Sequence, residues 1–136
     1  MFFSKPIKRA KYSTESIFQM IYQQLKGRIS SNCTIRLSDR TYAEVTPEEA
    51  FSFLRNVGSD YIPEINDCDD FSFMAKVECI KMQRRNKFEG YPGLFGMSWT
   101  PSHAFNWFIH NGTIQFINND GTPMSDIEEE INLLLL

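Results

Sequence analysis

The sequence predicts an α+β domain in which about three helices pack on a small antiparallel sheet. Apolar residues recur at helical spacing in three segments, and two β-rich runs flank an Asn-Gly pair. Of the 136 residues, 42% are hydrophobic, which is typical of a globular chain. A chain of this length is expected to form one domain that buries a core without a disulfide or a metal.

Each of the three helices has its own local signal. The first is predicted over about residues 15–27, before Gly27, and its apolar positions are Ile17, Phe18, Ile21, Tyr22 and Leu25. Thr46 and Glu49 suit a capping box around Pro47, so a second helix begins there and fades near Gly58. Asp67 suits the N-cap of a third helix that starts at residue 67 or 68 and runs to about 84.

The strand predictions centre on one hairpin. Residues 31–37 favour a strand, whereas residues 86–102 have three glycines, two prolines and no period, so they are expected to form an ordered loop. Asn111-Gly112 favours a two-residue type I′ turn. Counting back from this turn puts Asn119 on the opposite face, with Ala104. The predicted shared face carries His103, Phe105, Trp107, Ile109, Ile114, Phe116, Asn118 and Asp120.

Charge divides the chain into three expected parts. Residues 1–12 form a basic N-terminal segment, residues 13–122 the domain, and residues 123–136 an acidic, Leu-rich C-terminal tail. The net charge of −3 argues against a general nucleic-acid-binding protein. The oppositely charged ends are candidates for docking on partner proteins.

The cysteine count and hydropathy bear on the compartment. Three cysteines cannot all pair within one chain, so reduced thiols in a reducing compartment are expected. Cys33 and Cys79 are interpreted as small, buried apolar residues. The N-terminal residues lack the order of a secretion signal, and no apolar run approaches the ~20 residues of a membrane span.

Cys68 is the candidate nucleophile because it stands where the third helix begins. The free N–H groups of a helix start favour a thiolate, although Asp67, Asp69 and Asp70 oppose it. Thiol catalysis also needs an imidazole and a group that orients it. His103 is the candidate base.

Two residues are candidates for orienting this imidazole. Asn118 lies on the diagonal from His103, and Asp120, directly across the hairpin, is the alternative. With three Cys and two His, such a spacing also arises by chance, and His103 could simply be a core histidine.

Residues 67–71 (DCDDF), 102–106 (SHAFN) and 114–118 (IQFIN) resemble a papain-like family. Its best-known member is the C-terminal cysteine protease domain of mushroom agglutinins, which are chimerolectins, and short stand-alone relatives occur in phages and bacteria. Residues 38–42 and Tyr61 fit the same pattern, and the likeness covers roughly residues 35–122. The resemblance implies a papain-like fold in which a helix bears the nucleophile and a small antiparallel sheet bears the histidine.

The resemblance also implies a calcium-dependent Cys-His-Glu site. Cys68 matches the nucleophile and His103 the base, but Asn118 stands where the fungal members have Glu. Papain itself uses Asn there, so the change is compatible with activity or with its loss. Transglutaminase-like proteins, with the order Cys-His-Asp and similar spacings, remain a rival within the same fold group.

Two further roles follow for the residues around the nucleophile. No upstream Gln stands where papain has its oxyanion donor, so Asn66, the N–H of Cys68 or a loop residue would have to serve. Asp67, Asp69 and Asp70 are candidate Ca²⁺ ligands, because Ca²⁺ prefers carboxylate oxygens. The alternative interpretation of these carboxylates is helix capping and solvated charge.

Two functions are therefore predicted. The first is a papain-like thiol hydrolase that cleaves a peptide or amide bond of a peptide or protein substrate, with loop 86–102 shaping the cleft and with Ca²⁺ as the one metal implied. The alternative is a non-catalytic structural or interaction protein on a papain-like scaffold, such as a phage virion component that contacts other virion proteins through its two ends. The expected location is the host cytoplasm or the virion. Carbohydrate binding is a weaker option, because the resemblance is to the protease-like part.

Overall fold

Three helices and eight strands form an α+β fold within the residues that the computed structural model describes, which are 8–58, 60, 62–63 and 67–136. The helices are α1 (Thr14–Gln24), α2 (Pro47–Arg55) and α3 (Cys68–Arg84). The strands are β1 (Lys11–Ser13), β2 (Ile29–Arg36), β3 (Thr41–Ala43), β4 (Phe95–Trp99), β5 (Ala104–His110), β6 (Thr113–Ile117), β7 (Pro123–Met124) and β8 (Ile131–Leu135). The predicted roles of Tyr61 and Asn66 lie outside the described residues.

Local sequence fixes where the second and third helices begin. At α2 the N–H of Glu49 donates to Thr46 Oγ1 (3.2 Å), and the N–H of Thr46 donates to Glu49 Oε1 (3.0 Å), which is the predicted capping box. At α3 the N–H of Asp67 donates to the carboxylate of Asp70 (3.2 Å). Cys68 is therefore the first residue of its helix.

The main sheet is mixed and six-stranded, in the order β2-β8-β4-β5-β6-β7, so the prediction of a small antiparallel sheet is corrected. β8 runs parallel to β2 and antiparallel to β4. β1 and β3 form a separate two-stranded sheet.

Residues 123–136 were expected to form a tail, but β7 and β8 lie in the main sheet. The run INLLLL is too short to show a repeat of apolar residues in the sequence. It is a strand because it pairs with β2 and β4, and it buries Ile131 and Leu134.

β4 lies inside the segment 86–102 that was expected to be a loop. Its residues 95–98 are all buried, so the strand shows no polar alternation that the sequence could reveal. A Cβ on Gly96 would lie 2.0 Å from the carbonyl oxygen of Leu135. Glycine at this position therefore allows β8 to approach β4.

The β5–β6 hairpin has the register that was counted from its turn. His110 lies opposite Thr113, and the pairing continues to Asn106 opposite Ile117. Asn111 (φ 51°) and Gly112 (φ 72°) both have positive φ, as a type I′ turn requires.

The sheet is covered on both faces. One cluster joins Ile17 and Ile21 of α1 to Phe105 and Trp107 of β5. The other cluster lies below α2 and α3 and contains Phe53, Ala75, Cys79, Phe95, Phe108 and Ile117. The cluster below α2 and α3 brings the start of α3 beside the start of β5.

Among the described residues, no helix combines the length and hydropathy needed to cross a bilayer.

The two other cysteines differ in burial. Cys79 is fully buried, as predicted, whereas Cys33 is only partly buried. Burial raises the pKa of the Cys79 thiol to about 11, and it also raises the pKa of Cys33. Both thiols are therefore largely neutral at pH 7.

Candidate functional site

The thiol of Cys68 lies against the start of β5. Its Sγ accepts a hydrogen bond from the N–H of Ala104 at 3.4 Å, and Ala104 directly follows His103. Cys68 and His103 are both half-buried. Cys68 and His103, which are 35 positions apart in the sequence, thus lie at the same edge of the fold. Because Cys68 is the first residue of α3, its thiol also lies at the N-terminus of this helix.

The imidazole of His103 is oriented by Asn118. Its Nε2 lies 2.9 Å from Asn118 Oδ1, and the same Oδ1 accepts from the N–H of Asn119 at 2.8 Å. Because a backbone N–H can only donate, Oδ1 is the acceptor in both contacts and Nε2 carries a proton. In the neutral ring Nδ1 is then the basic nitrogen, the one that can exchange a proton with a thiol.

Asn119 connects the helix to the strand, a role that the sequence did not reveal. Its Nδ2 lies 3.4 Å from the carbonyl oxygen of Cys68, 3.2 Å from Ser72 Oγ and 3.2 Å from the carbonyl oxygen of Ala104. The hydroxyl of Ser72 also donates to the carbonyl of Cys68 (2.9 Å). The hairpin register placed Asn119 on the side of Ala104 but could not identify α3 as its partner.

Asn106 is a second connecting residue that the sequence did not single out. Its side chain is fully buried, and Nδ2 donates to the carbonyl oxygens of Ser72 and Gly96, both at 3.0 Å. It therefore ties α3, β4 and β5 together below the thiol. A polar residue in the apolar run AFNWFI was the available signal, since buried amides need partners.

Asp120, the alternative orienting residue, does not join this cluster. The carboxylate of Asp120 accepts from the hydroxyl (2.6 Å) and the N–H (3.0 Å) of Thr122, and these hydrogen bonds lower the pKa of Asp120. Asp120 is thus engaged in its own turn, while His103 pairs with Asn118. The predicted oxyanion donor Asn66 lies outside the described residues.

Three carboxylates surround the start of α3. Asp67, Asp69 and Asp70 each offer an oxygen, and these oxygens lie within 4.8 Å of one another. A hydrogen bond with Asp69, partial burial and the neighbouring negative charges raise the pKa of Asp67. Among the described residues, Asp67 Oδ1 has no hydrogen-bond partner. The three carboxylates repel one another, and one of their oxygens lacks a hydrogen-bond partner in the described part of the chain. Such a group of oxygen ligands suits a cation such as Ca²⁺.

A cavity of about 250 Å³ opens beside His103. Its lining residues are Thr100, Ser102, His103, Phe105, Met124, Asp126, Ile127, Glu128 and Glu129. Only the end of the predicted loop 86–102 borders the site, through Thr100 and Ser102. The segment between β7 and β8 forms the opposite wall.

Comparison with known proteins identifies a matching family model and two similar solved structures. Residues 48–121 match the family model described as Agglutinin C-terminal. The fold is similar to that of the PSL1a–E64 complex (TM-score 0.81, 23% identity, 93% of this chain and 51% of that chain). It is also similar to the Polyporus squamosus lectin bound to the human-type influenza-binding epitope Neu5Acα2-6Galβ1-4GlcNAc (TM-score 0.75, 24% identity, 93% of this chain and 49% of that chain). The chain thus spans about half the length of these proteins, and no curated protein matches it.

These matches correct one prediction from the sequence. The chain was classed by its motifs as a cysteine protease and hydrolase, but the matches are an agglutinin domain and lectin structures. The lectin-related part of the prediction is the part that the matches support. Because the family model covers more than half of the 136 residues, the chain belongs to the agglutinin C-terminal family.

Proposed function

We propose that the chain is an agglutinin-type interaction module on a papain-like scaffold, and that it engages its ligand at the thiol cluster of Cys68, His103 and Asn118. One observation carries the proposal: the Cys68 Sγ lies 3.4 Å from the N–H of Ala104, next to a His103 that Asn118 holds at 2.9 Å. The similarity to lectins, each about twice as long as this chain, supports a module that works within a larger assembly.

The cluster suits a ligand with an electrophilic atom. The thiolate is the reactive form of cysteine, and an electrophilic atom is what it attacks. Cys68 is half-buried, whereas Cys79 is fully buried, so Cys68 is the more accessible of these two thiols. PSL1a, whose fold this chain shares, is known as a complex with E64, an epoxide reagent. An epoxide carbon is attacked by a thiolate, and the opened oxygen takes up a proton.

A second candidate function is cleavage of a peptide or amide bond by the same cluster. The Nδ1 of His103, left basic by the Nε2–Asn118 pair, favours it. Cys68 would attack the carbonyl carbon while Nδ1 takes the thiol proton and then gives it to the departing amine. Water would next hydrolyse the thioester, and the acid would leave. Asn118 would orient His103 throughout, as in papain-like sites.

Ca²⁺ belongs to this proposal as a structural cation. Asp67, Asp69 and Asp70 would hold it, and the ion would offset the negative charge beside Cys68. We expect Ca²⁺ to raise the melting temperature of the wild-type protein. The double variant Asp69→Asn/Asp70→Asn should lose that response, and an equal response in both proteins would rule out these ligands.

Labelling with E64, followed by mass spectrometry of the intact protein and its peptides, tests the proposal. We expect one adduct per chain, on Cys68 ahead of Cys33 and Cys79. Cys68→Ala should abolish the adduct, and Cys33→Ala is the matched control that should keep it. Labelling of Cys33 at the same rate as Cys68, or no labelling of Cys68, would contradict the proposal.

A peptide library and a glycan then separate the two candidate functions. As an interaction module, the protein should leave a peptide library intact over hours, whereas turnover that Cys68→Ala abolishes would establish the second candidate. Calorimetry with Neu5Acα2-6Galβ1-4GlcNAc tests the ligand of the related lectin. Binding of this glycan that is unchanged after E64 labelling would place carbohydrate recognition away from the thiol cluster.

A further inference from the structure

The cavity beside His103 has an apolar wall and an acidic rim. Phe105, Met124 and Ile127 supply the apolar part of its lining, and Asp126, Glu128 and Glu129 supply the rim. Its volume of about 250 Å³ is below the roughly 300–1,000 Å³ of pockets that take drug-sized ligands. The space therefore suits a single side chain of a larger ligand.

One of the rim carboxylates has a fixed position. Glu129 Oε1 accepts from the hydroxyl of Thr100 at 2.9 Å, from the N–H of Ser102 at 3.3 Å and from the hydroxyl of Ser102. These hydrogen bonds, with a smaller contribution from the charge of His103, lower the pKa of Glu129. Glu129 is thus ionised at neutral pH and holds the segment between β7 and β8 against the turn that precedes His103.

Apart from a protonated His103, no described side chain that lines the cavity offers a positive charge to this rim. No Lys or Arg lines the cavity, and within the described part of the chain none of its three carboxylates forms an ion pair. Arg28 reaches the same segment, but its guanidinium donates to the carbonyl oxygen of Ser125 (3.2 Å) and lies over the ring of Phe116. A cationic ligand would therefore meet uncompensated charge in the cavity.

We propose that this cavity binds a cationic alkyl side chain, the guanidinium or ammonium of an Arg or Lys residue of a protein ligand, and so sets the ligand class of the thiol cluster. This inference rests on the proposed function, because His103 is the residue that the cavity and the cluster share. The alkyl stem packs on Phe105, Met124 and Ile127, and the charged head pairs with the rim. The acidic segment between β7 and β8 would thus recognise the ligand that the thiol cluster engages.

An NMR titration with n-butylguanidinium and its neutral isostere n-butylurea tests this inference. The two probes have nearly the same shape and differ in charge. We expect n-butylguanidinium to shift the amide signals of residues 100–105 and 124–129 and to bind about two- to fivefold more tightly than n-butylurea, the range that solvent-exposed charge pairs give. Equal affinities, or shifts confined to other residues, would overturn the inference.

A pair of charge-matched variants locates the effect. Asp126→Asn/Glu128→Gln removes two rim charges and leaves the Glu129 contacts intact, so the preference for the cation should disappear. Glu15→Gln/Glu48→Gln removes two exposed charges on α1 and α2 and should keep the preference. Loss of the preference in both variants would mean that only net charge is sensed, and the inference would fail.

E64 labelling of the same samples separates this inference from the proposed function. A protein that is labelled at Cys68 but shows no preference for the cation refutes only the cavity. A protein that prefers the cation but is not labelled at Cys68 refutes the thiol cluster and keeps the cavity as a cation site.

Discussion

Asn119→Ala is the perturbation that bears most directly on how the fold builds the thiol cluster. Asn119 Nδ2 is shared among three acceptors at 3.2–3.4 Å, which are the carbonyl oxygens of Cys68 and Ala104 and the hydroxyl of Ser72. These are long hydrogen bonds, so together they count as roughly one to two ordinary ones. At about 1 kcal/mol each, the variant should lower the free energy of unfolding by ~1–2 kcal/mol.

The loss should be limited because one acceptor keeps another donor. The hydroxyl of Ser72 already donates to the carbonyl oxygen of Cys68 at 2.9 Å, so the Ala104 carbonyl is the main group left without this contact. The reactivity of the Cys68 thiol should fall more than the stability of the fold. A displacement of about 1 Å between reacting groups can cost on the order of 100-fold in rate, and we expect E64 labelling of Cys68 to slow at least ~10-fold.

Urea unfolding followed by circular dichroism, together with the labelling rate at neutral pH, measures both effects. Asn32→Ala, which changes an exposed asparagine of β2, is the matched control and should leave both values unchanged. Asn119→Asp should be at least as damaging as the alanine variant, because a carboxylate would face three oxygen atoms. An Asn119→Ala protein with wild-type stability and wild-type labelling would refute the view that this residue positions the cluster.

Three further predictions test the fold that carries the site. Gly96→Ala should cost at least ~2 kcal/mol in urea unfolding, because the added carbon would lie 2.0 Å from a β8 carbonyl, whereas Gly27→Ala, with φ 82° but open space, should cost only about 1 kcal/mol. Burial opposes ionisation of Glu49, but hydrogen bonds from Arg9 and Thr46 outweigh it and lower its pKa, so its contribution is present above the ordinary value of 4.5 and is lost as pH falls below it. Glu49→Gln should flatten that acid limb of a stability–pH curve, and an unchanged limb would contradict the assignment. Thr46→Ala should cost about 1 kcal/mol by the same unfolding assay, and no loss would mean that the capping box is not stabilising.

Local features of the fold could be predicted because their physical causes are local. The cap at Thr46 and the positive-φ pair Asn111-Gly112 act over two to four residues, so the start of α2 and the hairpin register followed from the sequence. β4 and β8 could not be found in the same way. β4 is buried on both faces, so it shows no alternation. β8 is defined by its pairing with β2 and β4, which are distant from it in the sequence.

The candidate site divides along the same line. Counting along the hairpin placed His103 on the diagonal from Asn118, and in the structure Nε2 and Oδ1 lie 2.9 Å apart. The same count suggested Asp120 as an alternative, but a turn of its own holds that carboxylate. Asn119 and Asn106 were overlooked because their partners lie on α3, and hairpin geometry carries no information about that helix.

By itself the sequence determined the elements that short-range chemistry specifies: the helix that begins at Cys68, the hairpin that presents His103, and the family motif that joins them. Only the tertiary structure decided that β8 lies between β2 and β4, that Asn119 ties the helix to the strand, and that an acidic segment forms a wall beside the imidazole. The reason is physical. Caps and turns are set by hydrogen bonds between near neighbours, whereas these three features depend on contacts between residues that chain packing alone brings together.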